Sequence, residues 1–107
     1  MQSVGPQELD QWRRDVSRPA PALLDVRDPW EHERCLIEGS VALPMSQVVA
    51  KLDELDRDRD WVVICHHGMR SMQVAMYMER SGFPRVFNLQ GGVDAWARMV
   101  DPAMSRY

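Results

Sequence analysis

At 107 residues the chain is close to the commonest size for one folding domain, with room for one core and none for a second. Its 45% apolar and 27% charged residues exclude a disordered chain; a net charge of −3, with twelve Arg and one Lys scattered along the sequence, argues against nucleic acid as a partner. No apolar stretch approaches the ~20 residues of a membrane span, and the opening MQSVGPQELD lacks the basic-then-apolar pattern of a signal peptide, so a soluble, cytoplasmic protein with no membrane partner is expected.

The first predicted element is a helix opening at Pro6-Gln7-Glu8-Leu9-Asp10-Gln11-Trp12, with proline in a first-turn position and acidic residues near the positive end of the helix dipole. Leu23-Leu24-Asp25-Val26 lies between Pro19-Ala20-Pro21 and Asp28-Pro29, turn chemistry on both sides, and reads as a short strand. In the charged segment Glu31-His32-Glu33-Arg34, His32 is expected on a solvated helix. Cys35 follows; with Cys65 it makes two cysteines, too few for a disulfide scaffold, and both are read as reduced thiols. Apolar residues at 45, 48, 49, 52 and 55 predict a helix from Met45 to Leu55 with one face on the core.

Trp61-Val62-Val63-Ile64-Cys65 is continuously apolar and rich in β-branched residues, the pattern of a strand buried on both faces of a parallel sheet. Ser71 to Arg80 then predicts a well-buried helix, with Ser at its start and Gly82 just beyond its end as the stop signal. Arg85-Val86-Phe87-Asn88-Leu89 reads as a further strand, and Val93 to Met99 as a final helix after the Gly91-Gly92 turn. The tail from Met99 to Tyr107 has no fixed reading: it packs along the surface or meets a second subunit. The eight methionines are expected mostly to fill gaps in the core. Strands alternating with helices define an α/β fold with a mainly parallel sheet, in a single domain over 1–107.

In such a sheet ligands bind at the carboxyl ends of strands, where the chain turns into a helix. Cys65 stands at that point, and His66, His67, Gly68, Met69 and Arg70 span the interval before the helix. A loop curling into a helix N-terminus aims several backbone N–H groups at one spot and adds the positive end of the helix dipole. A sulfur held there is stabilised as thiolate and becomes a nucleophile without a dedicated base. Gly68 allows the backbone angles that a tight nest requires. Arg70 supplies either a fixed positive charge toward an anionic substrate or a structural pairing below the loop. Cys65, His66 and His67 also resemble metal ligands, but neighbours on a tight loop do not easily converge on one tetrahedral ion, and no second cluster with ligand spacing follows. No metal and no cofactor are therefore expected, and the histidines are read as loop walls whose rings face substrate or solvent.

Three motifs in order resemble those of a single-domain rhodanese-like sulfurtransferase, over about 7–96. They are Leu23-Leu24-Asp25-Val26-Arg27 with Glu31; Ile37-Glu38-Gly39-Ser40-Val41-Ala42-Leu43-Pro44; and Cys65 to Ser71, followed by Asn88-Leu89-Gln90-Gly91-Gly92-Val93-Asp94-Ala95-Trp96. The resemblance implies a sheet of about five strands with helices on both faces, over a core of about 7–98 with a tail at 99–107. It also implies a mechanism: Cys65 takes a sulfane sulfur from thiosulfate or a persulfide donor, carries it as a persulfide, and passes it to cyanide, a thiol or a protein acceptor, with His66, His67, Gly68, Met69 and Arg70 around the substrate. A monomer or weak homodimer is expected. Asp25, Arg27 and Glu31 are read as a structural ion-pair network. Where the family commonly shows glycine and histidine before the isoleucine of the second motif, this chain has Cys35-Leu36-Ile37, and Cys35 is taken as structural.

Two other functions are weighed. A cysteine phosphatase or arsenate reductase resembles this design, but its loop carries one residue more than the four between Cys65 and Arg70 here, and the tighter cradle suits one sulfur better than a tetrahedral phosphate. A binding module that only docks a partner or delivers sulfur to it is the second; the intact cysteine loop argues against the purely non-catalytic form.

Overall fold

The computed structural model describes residues 1–107. The elements in chain order are β1 (Gln2–Val4), α1 (Pro6–Arg14), β2 (Ala22–Asp25), α2 (Pro29–Arg34), β3 (Val41–Ala42), α3 (Val48–Lys51), β4 (Trp61–Ile64), α4 (Met69–Arg80), β5 (Val86–Leu89) and α5 (Gly92–Met99). The five strands form one parallel sheet in the order β1-β5-β4-β2-β3, with β4 at its centre. β1 and β3 were not anticipated from the residues themselves. They are edge strands of three and two residues, too short to carry a periodic signal.

Side chains alternate across a strand, and β4 shows both consequences. Trp61, Val63 and Cys65 enter a core with Leu24, Val26, Val48, Leu52, Val74, Met78 and Phe83, beneath α3 and α4. Val62 and Ile64 enter the opposite core with Leu9, Trp12, Leu23, Leu89, Val93 and Trp96, beneath α1 and α5. Val62, Val63 and Ile64 are fully buried, each contributing about 1.5–3 kcal/mol through removal from water. The unbroken apolar run of this strand follows directly from having helices on both faces.

The segment Met45 to Leu55 departs from expectation. It is not one α-helix but a 3₁₀ turn at Met45–Gln47, the four-residue α3, and a second 3₁₀ turn at Leu52–Glu54. Apolar residues three apart, at 45 and 48 or 52 and 55, satisfy a 3₁₀ period as well as an α period, and the pattern alone does not separate them. Of the expected core face, Val48 and Leu52 are buried and Met45 and Leu55 partly so, but Val49 is exposed.

At the C-terminal end of α4, Gly82 has φ +100 and the Phe83 N–H reaches back to the Met78 carbonyl at 3.1 Å, so the expected stop signal is the one used. The methionines are corrected: only Met78 lies fully in the core, whereas Met69, Met72, Met76 and Met99 are exposed. Three of those four ride the outer side of α4, whose other face is already filled by Val74, Ala75 and Met78. No helix is long and apolar enough to cross a membrane.

Candidate active site

Parallel pairing brings the carboxyl ends of β2, β4 and β5 to one edge of the sheet, and the candidate residues collect there. Cys65 follows β4 directly, and its side chain is 1% exposed. α4 begins at Met69, two residues earlier than Ser71, and is capped by Gly68 with φ +100. A side chain at Gly68 is disfavoured on two counts, the left-handed backbone and a Cβ that would sit a tight 3.2 Å from the Gly91 nitrogen and 3.3 Å from the Leu89 carbonyl. With that angle the Gly68 N–H donates to Cys65 Sγ at 3.0 Å, and the Ser71 hydroxyl stands 3.2 Å from the same sulfur. The sulfur is thus held by one backbone donor and one hydroxyl, and not by the full ring of N–H groups anticipated. The Met69 and Arg70 N–H groups, in the first turn of α4, have no acceptor within the helix.

The loop is also anchored from outside. The N–H groups of Val93 and Asp94, in the first turn of α5, donate to the carbonyls of Cys65 (2.9 Å) and His66 (3.1 Å). Gly91 and Gly92, both with positive φ, make this close approach possible. One helix N-terminus therefore faces the sulfur and another holds the loop's carbonyls, each using donors that a helix leaves unsatisfied.

Arg70 makes the structural pairing that the sequence left open: its Nη1 and Nη2 donate to the two oxygens of Glu31 at 2.8 and 2.9 Å. Glu31 in turn accepts from the Asp28 N–H and from the Tyr107 hydroxyl. Arg27, fully buried, grips Asp25 through Nε and Nη2 and donates to the Glu31 and Cys35 carbonyls and to the Tyr107 oxygen. Burial opposes the charge of Arg27, but the hydrogen bonds to Asp25 and Tyr107, together with the charge of Asp25, outweigh it and its pKa is raised. Cys35 lies 3.7 Å from Arg27 Nη1. His32, expected to be solvated, instead turns inward: its Nδ1 is 3.0 Å from Asp25 Oδ2 and its side chain is 19% exposed. α2 packs its inner face on the end of β2, where Asp25 draws a polar partner inward.

The tail runs along the surface, and its last residue reaches the site. Tyr107 stacks on His66 at 3.9 Å with 10° between the rings, while Trp30 meets its edge at 5.7 Å. Burial pushes its phenol up to about 12. His66 is half-buried between Tyr107 and the exposed His67, which stacks on it at 3.9 Å; burial, then the neighbouring His67, lowers its pKa. A ligand atom of His66, one of His67 and one of Asp94 come within 4.8 Å of one another, closer than two loop neighbours alone had implied. Stacked rings hold their in-plane lone pairs side by side, however, and the Asp94 carboxylate is occupied by Arg98 (3.3 Å) and Arg106 (3.2 Å).

Ser71, Asn88, Gly92 and Tyr107 were not singled out for the site from sequence. Asn88 carried the one available signal, a polar residue within an otherwise apolar strand that turns out fully enclosed.

Glu31 makes the network sensitive to acid. The Arg70 hydrogen bonds hold its carboxyl at about 2, against an ordinary 4.5. A depressed folded-state value contributes stability that is present above pH ~4.5 and is lost as pH falls toward ~2. Glu31→Gln is expected to be less stable at pH 7 and to flatten the acid limb between pH ~4.5 and ~2 in a chemical-denaturation series; an unchanged acid limb would remove Glu31 from that role.

A family model described as the rhodanese-like domain matches residues 6–99. A protein named "Sulfurtransferase" from Allochromatium vinosum is 41% identical over 76 residues, 71% of each chain. The putative sulfurtransferase YtwF of Bacillus subtilis is 39% identical over 80 residues, 75% of this chain and 77% of that one. The crystal structure of a rhodanese-like domain protein from Staphylococcus aureus superposes with a TM-score of 0.83 at 26% identity, over 100% of this chain and 99% of the other. With nearly the whole sheet and the cysteine loop inside the matched residues, this chain belongs to the rhodanese-like family.

Proposed function

We propose that this chain is a sulfurtransferase that carries sulfane sulfur on Cys65. The supporting observation is the buried sulfur at the carboxyl end of the central strand, receiving the Gly68 N–H at 3.0 Å and facing Ser71 at 3.2 Å. The Gly68 N–H, already in place at the sulfur, stabilises an anion there, and the Ser71 hydroxyl is within reach to add a second donor. In the first half-reaction the Cys65 thiolate attacks the outer sulfur of thiosulfate; a new S–S bond forms, and sulfite leaves with the electron pair of the old one. A cyanide or thiolate acceptor then attacks the outer persulfide sulfur and expels the Cys65 thiolate. Each half is a displacement, so the kinetics are ping-pong and no resident cofactor is needed. A persulfide donor or a protein acceptor enters the same scheme unchanged, as does a monomer or a weak homodimer. A reduced Cys65 accords with a cytoplasmic setting.

Incubation with thiosulfate followed by intact-mass measurement tests this reading. A gain of one sulfur atom is expected in the wild-type protein and in Cys35→Ser, and none in Cys65→Ser. Absence of any gain would leave the module that only binds a partner. Hydrolysis of an aryl phosphate would favour the phosphatase, against which the four-residue interval between Cys65 and Arg70 counts.

A further inference from the structure

Behind the sulfur lies a closed ring of hydrogen bonds that the transfer scheme does not use. Ser71 Oγ is 3.2 Å from Cys65 Sγ and 2.5 Å from Asn88 Oδ1; Asn88 Nδ2 donates to the Gly68 carbonyl at 3.2 Å; the Gly68 N–H returns to the sulfur at 3.0 Å. Ser71 is wholly enclosed and Asn88 is 2% exposed, so solvent does not serve either side chain. The orientation of the Asn88 amide follows from its neighbours: a carbonyl only accepts, so the NH₂ faces Gly68 and the oxygen faces Ser71.

That leaves one hydroxyl proton on Ser71 for two acceptors. While Cys65 is a thiol, the arrangement is satisfied throughout, with S–H donating to Ser71 Oγ and Ser71 O–H donating to Asn88 Oδ1. When the sulfur loses its proton to water, Ser71 must turn its O–H to the sulfur, and Asn88 Oδ1 is left enclosed without a donor.

We propose that Asn88 is a positioning residue that competes with the Cys65 sulfur for the single proton of Ser71. It acts through Ser71 and touches no substrate, and the inference rests on Cys65 being the sulfur carrier. Its effect is to hold the sulfur more basic than the loop alone would leave it. A more basic thiolate is intrinsically the stronger nucleophile.

The sign of one measurement separates this role from simple support of the loop. The rate of Cys65 alkylation by iodoacetamide is followed against pH in wild type, Asn88→Leu, Ser71→Ala and the double variant, each in a Cys35→Ser background so that one thiol reports. Asn88→Leu frees the Ser71 proton for the sulfur, and the midpoint is expected to move to lower pH by about one unit. Ser71→Ala is expected to move it upward, and the double variant to coincide with Ser71→Ala, because Asn88 then has nothing to act through. If Asn88 only clamps Gly68, its loss moves the midpoint upward or not at all, and equally in both backgrounds; that result overturns the proposal.

The other charged and titratable groups around the sulfur are unaltered in all four proteins: Arg70 with Glu31, Arg27 and Asp25 with His32, the loop's His66 and His67, Asp94 of α5, and Tyr107. Should Asn88→Leu fail to fold, the side-chain amide resonances of Asn88 are followed by NMR against pH. Movement with the alkylation midpoint, reduced in Ser71→Ala, supports the coupling, and no movement overturns it. Neither measurement needs a sulfur donor, so failure to load persulfide from thiosulfate and failure of this coupling are separate results.

Discussion

Gly92→Ala is expected to lower stability by about 3 kcal/mol and to abolish sulfur loading at Cys65, although residue 92 makes no contact with the sulfur itself. Gly92 opens α5 at φ +61, where an L side chain is strained. A Cβ there would lie 2.5 Å from the His66 carbonyl carbon and closer still to the carbonyl oxygens of Cys65 and His66. Those atoms are backbone and have no rotamer to escape into. Relief requires α5 to retreat from the loop, which breaks the hydrogen bonds from Val93 and Asp94 to the same two carbonyls. A chain of this size loses about 4–8 °C of melting temperature per kcal/mol, so a fall of about 12–24 °C is expected by calorimetry. Unchanged melting together with unchanged loading would show that the loop does not depend on the close approach of α5.

The second large effect is expected from Arg27→Met. Asp25 is 1% exposed, and its carboxylate faces Arg27 Nε at 2.9 Å and Nη2 at 2.6 Å. Methionine matches the length of the stem but leaves that carboxylate enclosed with the Arg27 N–H and His32 as its remaining partners. Breaking one side of a buried pair typically costs about 3–5 kcal/mol. The same change releases the Tyr107 hydroxyl and the Cys35 carbonyl. Urea unfolding measures the loss, and the double variant Asp25→Asn/Arg27→Met is expected to recover much of it because no lone charge remains. A loss below about 1 kcal/mol in the single variant would mean that water or His32 neutralises Asp25 adequately.

Legibility in the sequence followed the range over which each signal acts. β4 was readable because its residues are apolar on both faces, and a strand covered by helices on both sides requires that. The stop of α4 falls where expected because Gly82 carries a backbone angle that few other residues adopt, whereas its start, expected at Ser71, lies two residues earlier behind the Gly68 cap. Cys65 was readable for the same reason: strand, cysteine, glycine and helix are contiguous, so the geometry that surrounds the sulfur is written locally.

What the chain order does not contain is the set of contacts between distant segments. Arg70 had two open roles, and Glu31, thirty-nine positions away, settles its pairing. His32 looked solvated among charged neighbours until α2 docked it against Asp25. Tyr107 carries no sequence signal at all, yet it stacks on His66 and bridges Arg27 to Glu31. The sequence by itself determined the α/β class, the central buried strand and the place of Cys65 at that strand's carboxyl end, because hydrophobic period and glycine conformation act over a few residues. Only the tertiary structure decided the partners of that position, Ser71, Asn88, the first turn of α5 and Tyr107, because a hydrogen bond depends on ångström placement across elements that packing alone brings together.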